Sequence, residues 1–484
     1  MPFLSLAGPY GGGLFARTVI ALALAGALAG CATRTDPLSA AHSAVPVPAD
    51  WSVVGLASPV AATSAPWWPQ FNDPWLVDLV QQALQAHTSV RLAQAALQQS
   101  RALRDVALAG DAVRVGASAS AQRSQVGDAA AGNTFRAGFD ASWEPDVFGA
   151  RRRTQQASEA DVRAAQAAVA QARVSLAAEV AAAVIELRGV ALRLRLAQDN
   201  LARQTETLDL TRWRVQAGLA SSVDLEQART TVEQTRASLP ALQASMRQAL
   251  NALAVLTGQT PGALSRAWEV QAAEPIPQPP GHIALSFPAD TLRQRPDVRV
   301  AEERIAAAWS RVRVADAQRY PNFGLSGSLG LNANRLSDLL DVSALTRTVL
   351  ASVTASLFDG GAQRAQVRAQ EAALEQARIN HEAAVLTALQ DVENALAALQ
   401  GSRERLERLQ AAAQAASDAE WLARQRYASG LIDYRSVLDT QRTLLSTQTD
   451  LALGQVAVGT DHVRLYKALG GGWSPETDST PVTP

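Results

Sequence analysis

Four stretches of this chain alternate apolar and polar residues with a period of two, the spacing that sends one residue type to each face of a β-strand. Over 112–126, Val113, Val115, Ala117, Ala119 and Ala121 alternate with Arg114, Gly116, Ser118, Ser120 and Gln122. Over 133–145, Phe135, Ala137, Phe139, Ala141 and Trp143 alternate with Arg136, Gly138, Asp140, Ser142 and Glu144. A second pair follows. Over 322–333, Phe323, Leu325, Leu329 and Leu331 stand against Asn322, Ser326, Ser328 and Asn332. Over 347–358, Val349, Ala351, Val353, Ala355 and Leu357 stand against Thr348, Ser352, Thr354 and Ser356. Segments of about ten residues cross a bilayer at the usual tilt, and one apolar face suits a wall between lipid and a wet lumen. A soluble antiparallel sheet would carry the same pattern, so the alternation alone leaves both readings open.

The longer elements lack this alternation. From Phe148 to Gln216, and from Gly360 to Ser429, the chain has no proline and is rich in alanine, which favours helix and close approach of neighbours. At 1.5 Å per residue, roughly 70 residues reach about 100 Å if unbroken. Gly189 and Gly401 are expected to mark breaks or lateral packing sites. After each long helix comes a heptad seam: Leu225, Val232, Leu239, Met246 and Leu253, then Val437, Leu444, Leu451, Val458 and Leu465. Apolar residues seven apart pack one helix on another as a coiled coil. Pro240 falls inside the first seam and predicts a kink.

The two seams are displaced by 212 residues at every position. Other matches keep the same order: Ser89 to Gln94 reads like Asp297 to Glu302, Ala141-Ser142-Trp143 like Ala355-Ser356-Leu357, and Gly218-Leu219 like Gly430-Leu431. Offsets that drift by only a few residues are what duplication with small insertions produces. The predicted organisation is a first repeat over 67–271, a linker over 272–287 with Pro275, Pro277, Pro279 and Pro280, and a second repeat over 288–470. Residues 471–484 are expected to form a flexible tail.

Four strands cannot close a barrel, and lipid tolerates no unpaired sheet edge. If the strands enter a membrane, the chain must pool them with copies of itself under cyclic symmetry. Two chains give eight strands, an interior that side chains about fill. Three give twelve strands and a lumen. The fold class predicted is mainly α with a membrane β-barrel, built from duplicated helix–strand–strand–helix units.

The chain contains one cysteine, Cys31, in Leu28-Ala29-Gly30-Cys31, behind an apolar stretch from Thr18 to Gly30 and one basic residue, Arg17. That stretch is too short to span a bilayer and fits the core of an export signal over 1–30. Leu-Ala-Gly-Cys resembles the bacterial lipobox, which implies a covalent lipid on Cys31, followed by a lipidated segment over 31–66. Ala32, where the sorting pattern disfavours aspartate, points to the outer membrane. A lone lipidated cysteine forms no disulfide, so packing must hold the fold. Elsewhere we read no run of about 18 apolar residues, hence no transmembrane helix. Lys+Arg 44 against Asp+Glu 45 gives no basic surplus and no argument for nucleic acid.

Chemistry finds no foothold. The histidines 42, 87, 282, 381 and 462 lack metal-ligand spacing, and there is no nucleophile elbow or phosphate loop. No catalytic residue, metal or dissociable cofactor is expected. Ten tryptophans are dispersed, with Trp143 at a strand end suiting a membrane interface and Trp67, Trp68 and Trp75 placed to pin the N-terminal segment.

Between about Trp67 and Leu469 the chain resembles the TolC-like outer-membrane efflux channels, in particular their lipoprotein branch, the NodT-type and OprM-like proteins. The resemblance is carried by Phe71-Asn72-Asp73-Pro74-Trp75-Leu76, Arg295-Pro296-Asp297-Val298 with Ala301-Glu302, Tyr320-Pro321, Phe358-Asp359-Gly360-Gly361, and the two Gly-Leu turns. It implies a homotrimer, with a twelve-stranded barrel in outer-membrane lipid above a tunnel of twelve helices. It also implies a periplasmic adaptor and an inner-membrane pump, of the RND type, as partners. The turns holding Gly218, Leu219, Gly430 and Leu431 would form the tunnel tip where adaptor hairpins intermesh. A plain hairpin turn with a glycine C-cap suits the same residues. Acidic residues follow the turns: Asp224, then Asp433 and Asp439. Asp439 matches the position of a gating aspartate in relatives, and three copies on an axis would make an acidic ring. A solvated helix-face aspartate is the ordinary alternative. The function implied is a passive exit duct of a tripartite efflux system. Two other readings remain: an adaptor or scaffold lipoprotein without a pore, and the duct of a type I protein secretion system. Two seams and two strand pairs argue against an adaptor, which needs one hairpin.

Overall fold

The computed structural model describes residues 46–52, 57–59, 66–128, 130–278, 283–285 and 288–472. The chain divides into Met1–His42 and Ser43–Pro484. The expected signal and Cys31 lie outside the described residues, as do most of the tail and parts of the 31–66 segment and the linker.

The second unit begins with a three-residue strand β1 (Ala57–Pro59), a 3₁₀ turn (Trp68–Phe71), and helices α1 (Pro74–Ala86) and α2 (Thr88–Ala109). Strands β2 (Arg114–Ser124) and β3 (Gly132–Trp143) lead into α3 (Ala150–Gln216) and α4 (Ser222–Leu256). A short α5 (Ser265–Gln271), β4 (Ile283–Leu285) and α6 (Pro288–Gln294) connect the halves. Then come α7 (Pro296–Ala317), β5 (Asn322–Ala333), β6 (Leu345–Thr354), α8 (Ala362–Ala428) and α9 (Tyr434–Ala468). The copies keep their lengths: α2 and α7 have 22 residues each, α3 and α8 have 67, α4 and α9 have 35. Equal helices in equal order are duplication made visible. The linker, read as unable to form a central strand, holds β4, which pairs only with β1 in a separate two-stranded sheet.

The main sheet is antiparallel in the order β2-β3-β5-β6. Its register puts like faces together: Ala117 opposes Phe139, and Phe139 opposes Leu329, while Ser142 opposes Ser326. Every residue of the two outer strands, β2 and β6, is exposed. The sheet therefore ends in two bare edges. The last strand stops at Thr354 rather than at 358, because its partner β5 starts at Asn322, after Pro321, and offers no further ladder. Leu357 and Phe358 project into open space. Asp359 then accepts from the N–H groups of Gly361 and Gln363 at 2.8 and 2.9 Å and starts α8. Gly361, at φ 88°, makes the left-handed step from strand to helix, as Gly149 does at φ 78° before α3.

The core lies around the middle of α3, where Leu176, Val180, Ala181, Val184, Ile185 and Leu187 pack against α1, α4 and α9. One window of α3 is apolar and long enough to cross a membrane, contrary to the sequence reading, and 56% of it is buried within the chain. Alanine and valine there serve helix–helix packing. At its lower edge Arg188 and Asp73 form a buried pair, Nη2 to Oδ2 2.8 Å, and Arg188 also donates to the Gln271 carbonyl. Asp73 simultaneously caps α1 through the Leu76 N–H. Trp67 stacks on Tyr466 at 5.2 Å, and Trp75 lies 5.7 Å from Trp268. The seam residues of α4 and α9 are all buried or half-buried.

Gly189 does not break α3. Its missing side chain admits Val456 of α9, so it is a lateral packing site. Gly401 neither breaks α8 nor meets another side chain within the protomer. Pro240 is carried inside the continuous α4.

Gly189→Ala should destabilise the protein by about 1–3 kcal/mol, the usual cost of an overpacked core. A denaturant melt by circular dichroism in detergent measures it. Val456→Ala in the same chain should restore most of the loss. A Gly189→Ala chain as stable as the parent would contradict the close contact.

Candidate functional site

The site is built from two helical turns at the far end of α3 and α8 and from the exposed sheet. Each turn ends its helix with the same pair of backbone bonds. Leu219 N–H reaches the Arg214 carbonyl at 2.7 Å and Gly218 N–H the Val215 carbonyl at 3.0 Å. In the second copy Leu431 N–H meets the Arg426 carbonyl and Gly430 N–H the Tyr427 carbonyl, both at 2.9 Å. These are Schellman caps, and their left-handed position is why glycine stands there, at φ 73° in Gly218 and 76° in Gly430. In such caps the residue after the glycine commonly packs back on its own helix. Here Leu219 and Leu431 stay 70% and 73% exposed, and Trp213 and Val223, on the helices flanking the first turn, are exposed as well.

The three acidic candidates separate by environment. Ser221 caps α4 by accepting from Asp224 N–H at 3.1 Å, and Asp224 reaches back to the Ser221 N–H and hydroxyl. In the second copy the pair is exchanged: Asp433 caps α9 and accepts from the Ser436 N–H at 3.0 Å and hydroxyl at 2.7 Å. Those bonds from Ser436 hold the Asp433 carboxyl below the usual range. Asp224 and Asp433 thus have helix-capping work that accounts for their presence. Asp439 differs. It is exposed on α9 beside buried Val437 and Leu438, and among the described residues its carboxylate has no hydrogen bond or ion pair.

A bridge between the two turns was not read from the sequence. Arg214 donates to the Tyr427 carbonyl at 2.6 Å, and its guanidinium lies 4.6 Å over the Tyr427 ring. The Tyr427 hydroxyl is 3.0 Å from the Thr211 hydroxyl, and its ring meets Tyr434 edge-on at 6.1 Å. Burial pushes the Tyr434 phenol up to about 12, so it stays neutral. Above this clasp the seam turns polar, with Gln441 donating to Thr207 at 3.1 Å and buried Asn200, Gln204 and Glu420 nearby along α3 and α8. The recurrence of arginine at 214 and 426 was the available signal. Which arginine is bonded depends on the packing of α3 against α8 and α9.

At the other end of the long helices, Phe148 stacks on Tyr320 at 4.9 Å and lies 6.3 Å from Phe323, where the chain enters and leaves the sheet. Trp143 is on the apolar face at the same level, its indole N–H bonded to the Asp111 carbonyl at 3.2 Å. Aromatic rings gathered at strand ends mark a membrane–water boundary. The opposite face carries serine, threonine, asparagine and glycine.

The sequence profile of the outer membrane efflux protein family matches residues 79–259 and 287–471, one segment in each copy. OprJ, an outer membrane protein of Pseudomonas aeruginosa, is 30% identical over 446 residues, covering 89% of this chain and 91% of its own. Nodulation protein T of Rhizobium leguminosarum is 28% identical over 445 residues, covering 89% and 93%. Among solved structures, the outer-membrane channel OprN superposes with a TM-score of 0.82 at 35% identity, covering 88% of this chain and 98% of its own. VceC of Vibrio cholerae superposes at 0.76 with 26% identity, covering 86% and 100%. The bare sheet edges are closed in this fold by three chains, four strands from each making a barrel of twelve. By this profile match and these likenesses, the chain belongs to the outer membrane efflux protein family and folds as one of its trimeric channels.

Proposed function

We propose that the chain is the exit duct of a tripartite efflux assembly, anchored by lipid on Cys31 and docked through its helical tip to a periplasmic adaptor. The observation that carries the docking reading is the pair of exposed leucines. Leu219 and Leu431 sit on Schellman caps and offer apolar surface that is 70% and 73% exposed, and the glycines before them add no side chain of their own. A coiled-coil hairpin of an adaptor supplies a matching apolar ridge. The duct itself is passive, with energy supplied by an inner-membrane pump. That pump is proposed to be of the RND type, and relatives named for toluene efflux and antibiotic efflux support a small-molecule pump over a protein exporter.

Asp439 is the gate candidate of the three acids, because the other two are occupied as caps. Three unpartnered carboxylates around one axis hold the constriction negative and favour cations. Cys31, in its lipobox-like context, gives the chain a membrane anchor in addition to the barrel.

Leu219→Asp with Leu431→Asp should cut export about ten-fold or more, since a carboxylate desolvated against an apolar ridge costs at least that factor. Accumulation of an efflux substrate in cells measures it, with native mass spectrometry checking that the trimer persists. Full export from an intact trimer would end the docking reading.

Asp439→Ala should raise single-channel conductance in planar bilayers and reduce cation preference. The difference should fade near 1 M salt, where charges are screened within about 3 Å. Identical selectivity in parent and variant at low salt would remove Asp439 from the gate.

Mass spectrometry of membrane-extracted protein should find Cys31 at the N-terminus carrying acyl chains. A mature chain that starts elsewhere with a free thiol would refute the anchor.

A further inference from the structure

The apolar face of the sheet is interrupted by two arginines at its edges. Arg347 is the third residue of β6, opposite Leu329, which is itself opposite Phe139. Arg123 is the next-to-last residue of β2 and shares the face of Val115 and Ala117. Both lie on the side that meets lipid and toward the end remote from the long helices. Both are exposed, and among the described residues neither guanidinium has a hydrogen bond or an ion pair.

The duplication gives the register of the seam between chains. Within one chain, β3 of the first copy pairs with β5 of the second. Closing the barrel pairs β6 of one chain with β2 of the next, the same relation between copies. Arg114 opposite Ser142 corresponds to Asn322 opposite Thr354, offsets of 208 and 212. The helices α3 and α8 also start 212 apart, so β3 matches β6 at 212 and not at the 214 that Ala141-Ser142-Trp143 against Ala355-Ser356-Leu357 suggests. Carried across the seam, Phe135 opposite Ala333 becomes Arg347 opposite Gln125 of the partner subunit. Ala137 opposite Leu331 becomes Val349 opposite Arg123 of the partner subunit. The two arginines are then diagonal neighbours on one face, about 7–8 Å apart at the backbone and within joint reach of one ligand.

Two like charges side by side on a lipid-facing wall are unfavourable unless an anion joins them. Their long stems let the guanidinium groups rise toward the headgroup layer, where the planar fork matches phosphate oxygens. The acidic groups of the adjoining loops are Asp128, between β2 and β3, and Asp338 and Asp341, between β5 and β6. Of these, Asp338 already accepts from Ser337 at 2.7 Å. We propose that Arg347 and the partner subunit's Arg123 form a site, at each seam, for the phosphate of an outer-leaflet lipid headgroup. The lipid then bridges two chains where the sheet of each would otherwise end. The site rests on three-chain closure of the barrel and goes beyond the duct reading.

The test is native mass spectrometry of the purified trimer titrated with bisphosphorylated lipid A or with its dephosphorylated form. The trimer should retain up to three bisphosphorylated lipids and hold the dephosphorylated form about ten-fold more weakly. Arg123→Gln with Arg347→Gln should lose that preference while remaining a trimer. Arg136→Gln, on the polar face, should keep it. Inorganic phosphate at equal concentration should leave the lipid bound. An intact double-variant trimer that retains the lipid as well as the parent overturns the site. Displacement by inorganic phosphate overturns the lipid as its occupant. A parent chain that is monomeric in the same spectra fails at barrel closure instead, and mass alone tells these outcomes apart.

Discussion

An unpaired sheet edge in lipid is the constraint on which the rest of this molecule depends. β2 and β6 are edge strands of 11 and 10 residues in which every other residue turns its N–H and C=O outward with no strand to bond, and hydrocarbon offers those groups nothing. Helices can cross a membrane alone, but four strands cannot. Three chains must therefore meet edge to edge, which sets a threefold axis, and the duplication brings the helices below close to sixfold. Tunnel, tip and seam all inherit that symmetry. Lipid requires the closure, and helix packing only has to accommodate it.

Below the sheet, the copies reach the same geometry with different side chains. Ser221 and Asp224 cap one hairpin, while Asp433 and Ser436 cap the other with donor and acceptor exchanged. Gly189 receives Val456 within the chain, whereas its counterpart Gly401 is open there. His462 stands where the first copy has buried Leu250. Its Nδ1 lies 2.7 Å from the Val458 carbonyl and its Nε2 2.8 Å from Arg403, so the neutral ring is assigned the Nδ1–H tautomer. Burial lowers its pKa to about 4. Each difference marks a place where the two pseudo-equivalent positions have unequal neighbours, as they must when one joint lies within a chain and the next between chains.

The helical wall is apolar near the middle of α3 and polar toward the tip. Close-packed alanine and valine resist sliding, because any shift opens voids. The lower seam, held by Gln441, Thr207, Thr211 and Tyr427, depends on hydrogen bonds that can be exchanged for others or for water. The upper shaft is thus held by close packing, and the lower end by hydrogen bonds.

Periodicity made the strands, the long helices and their doubling legible, because side-chain direction follows directly from φ and ψ and needs no partner. Lipid chemistry added the need for several chains. The ends of β6 were not legible, since a strand stops where its partner stops, and Pro321, just before β5, is the cause of Thr354 being the last paired residue. Nor were the separate roles of three aspartates. Asp224, Asp433 and Asp439 are alike in sequence, and only the helix starts at Ser222 and Tyr434 turn the first two into caps. The apolar window of α3, missed in the sequence, is long enough to cross a membrane but packs against α1, α4 and α9 with 56% of it buried. Local pattern thus determined which elements exist and which face of each is apolar. Which groups are paired, and so which remain free to act, was decided by tertiary packing, because a hydrogen bond or a buried charge is defined by two partners that the chain brings together from far apart.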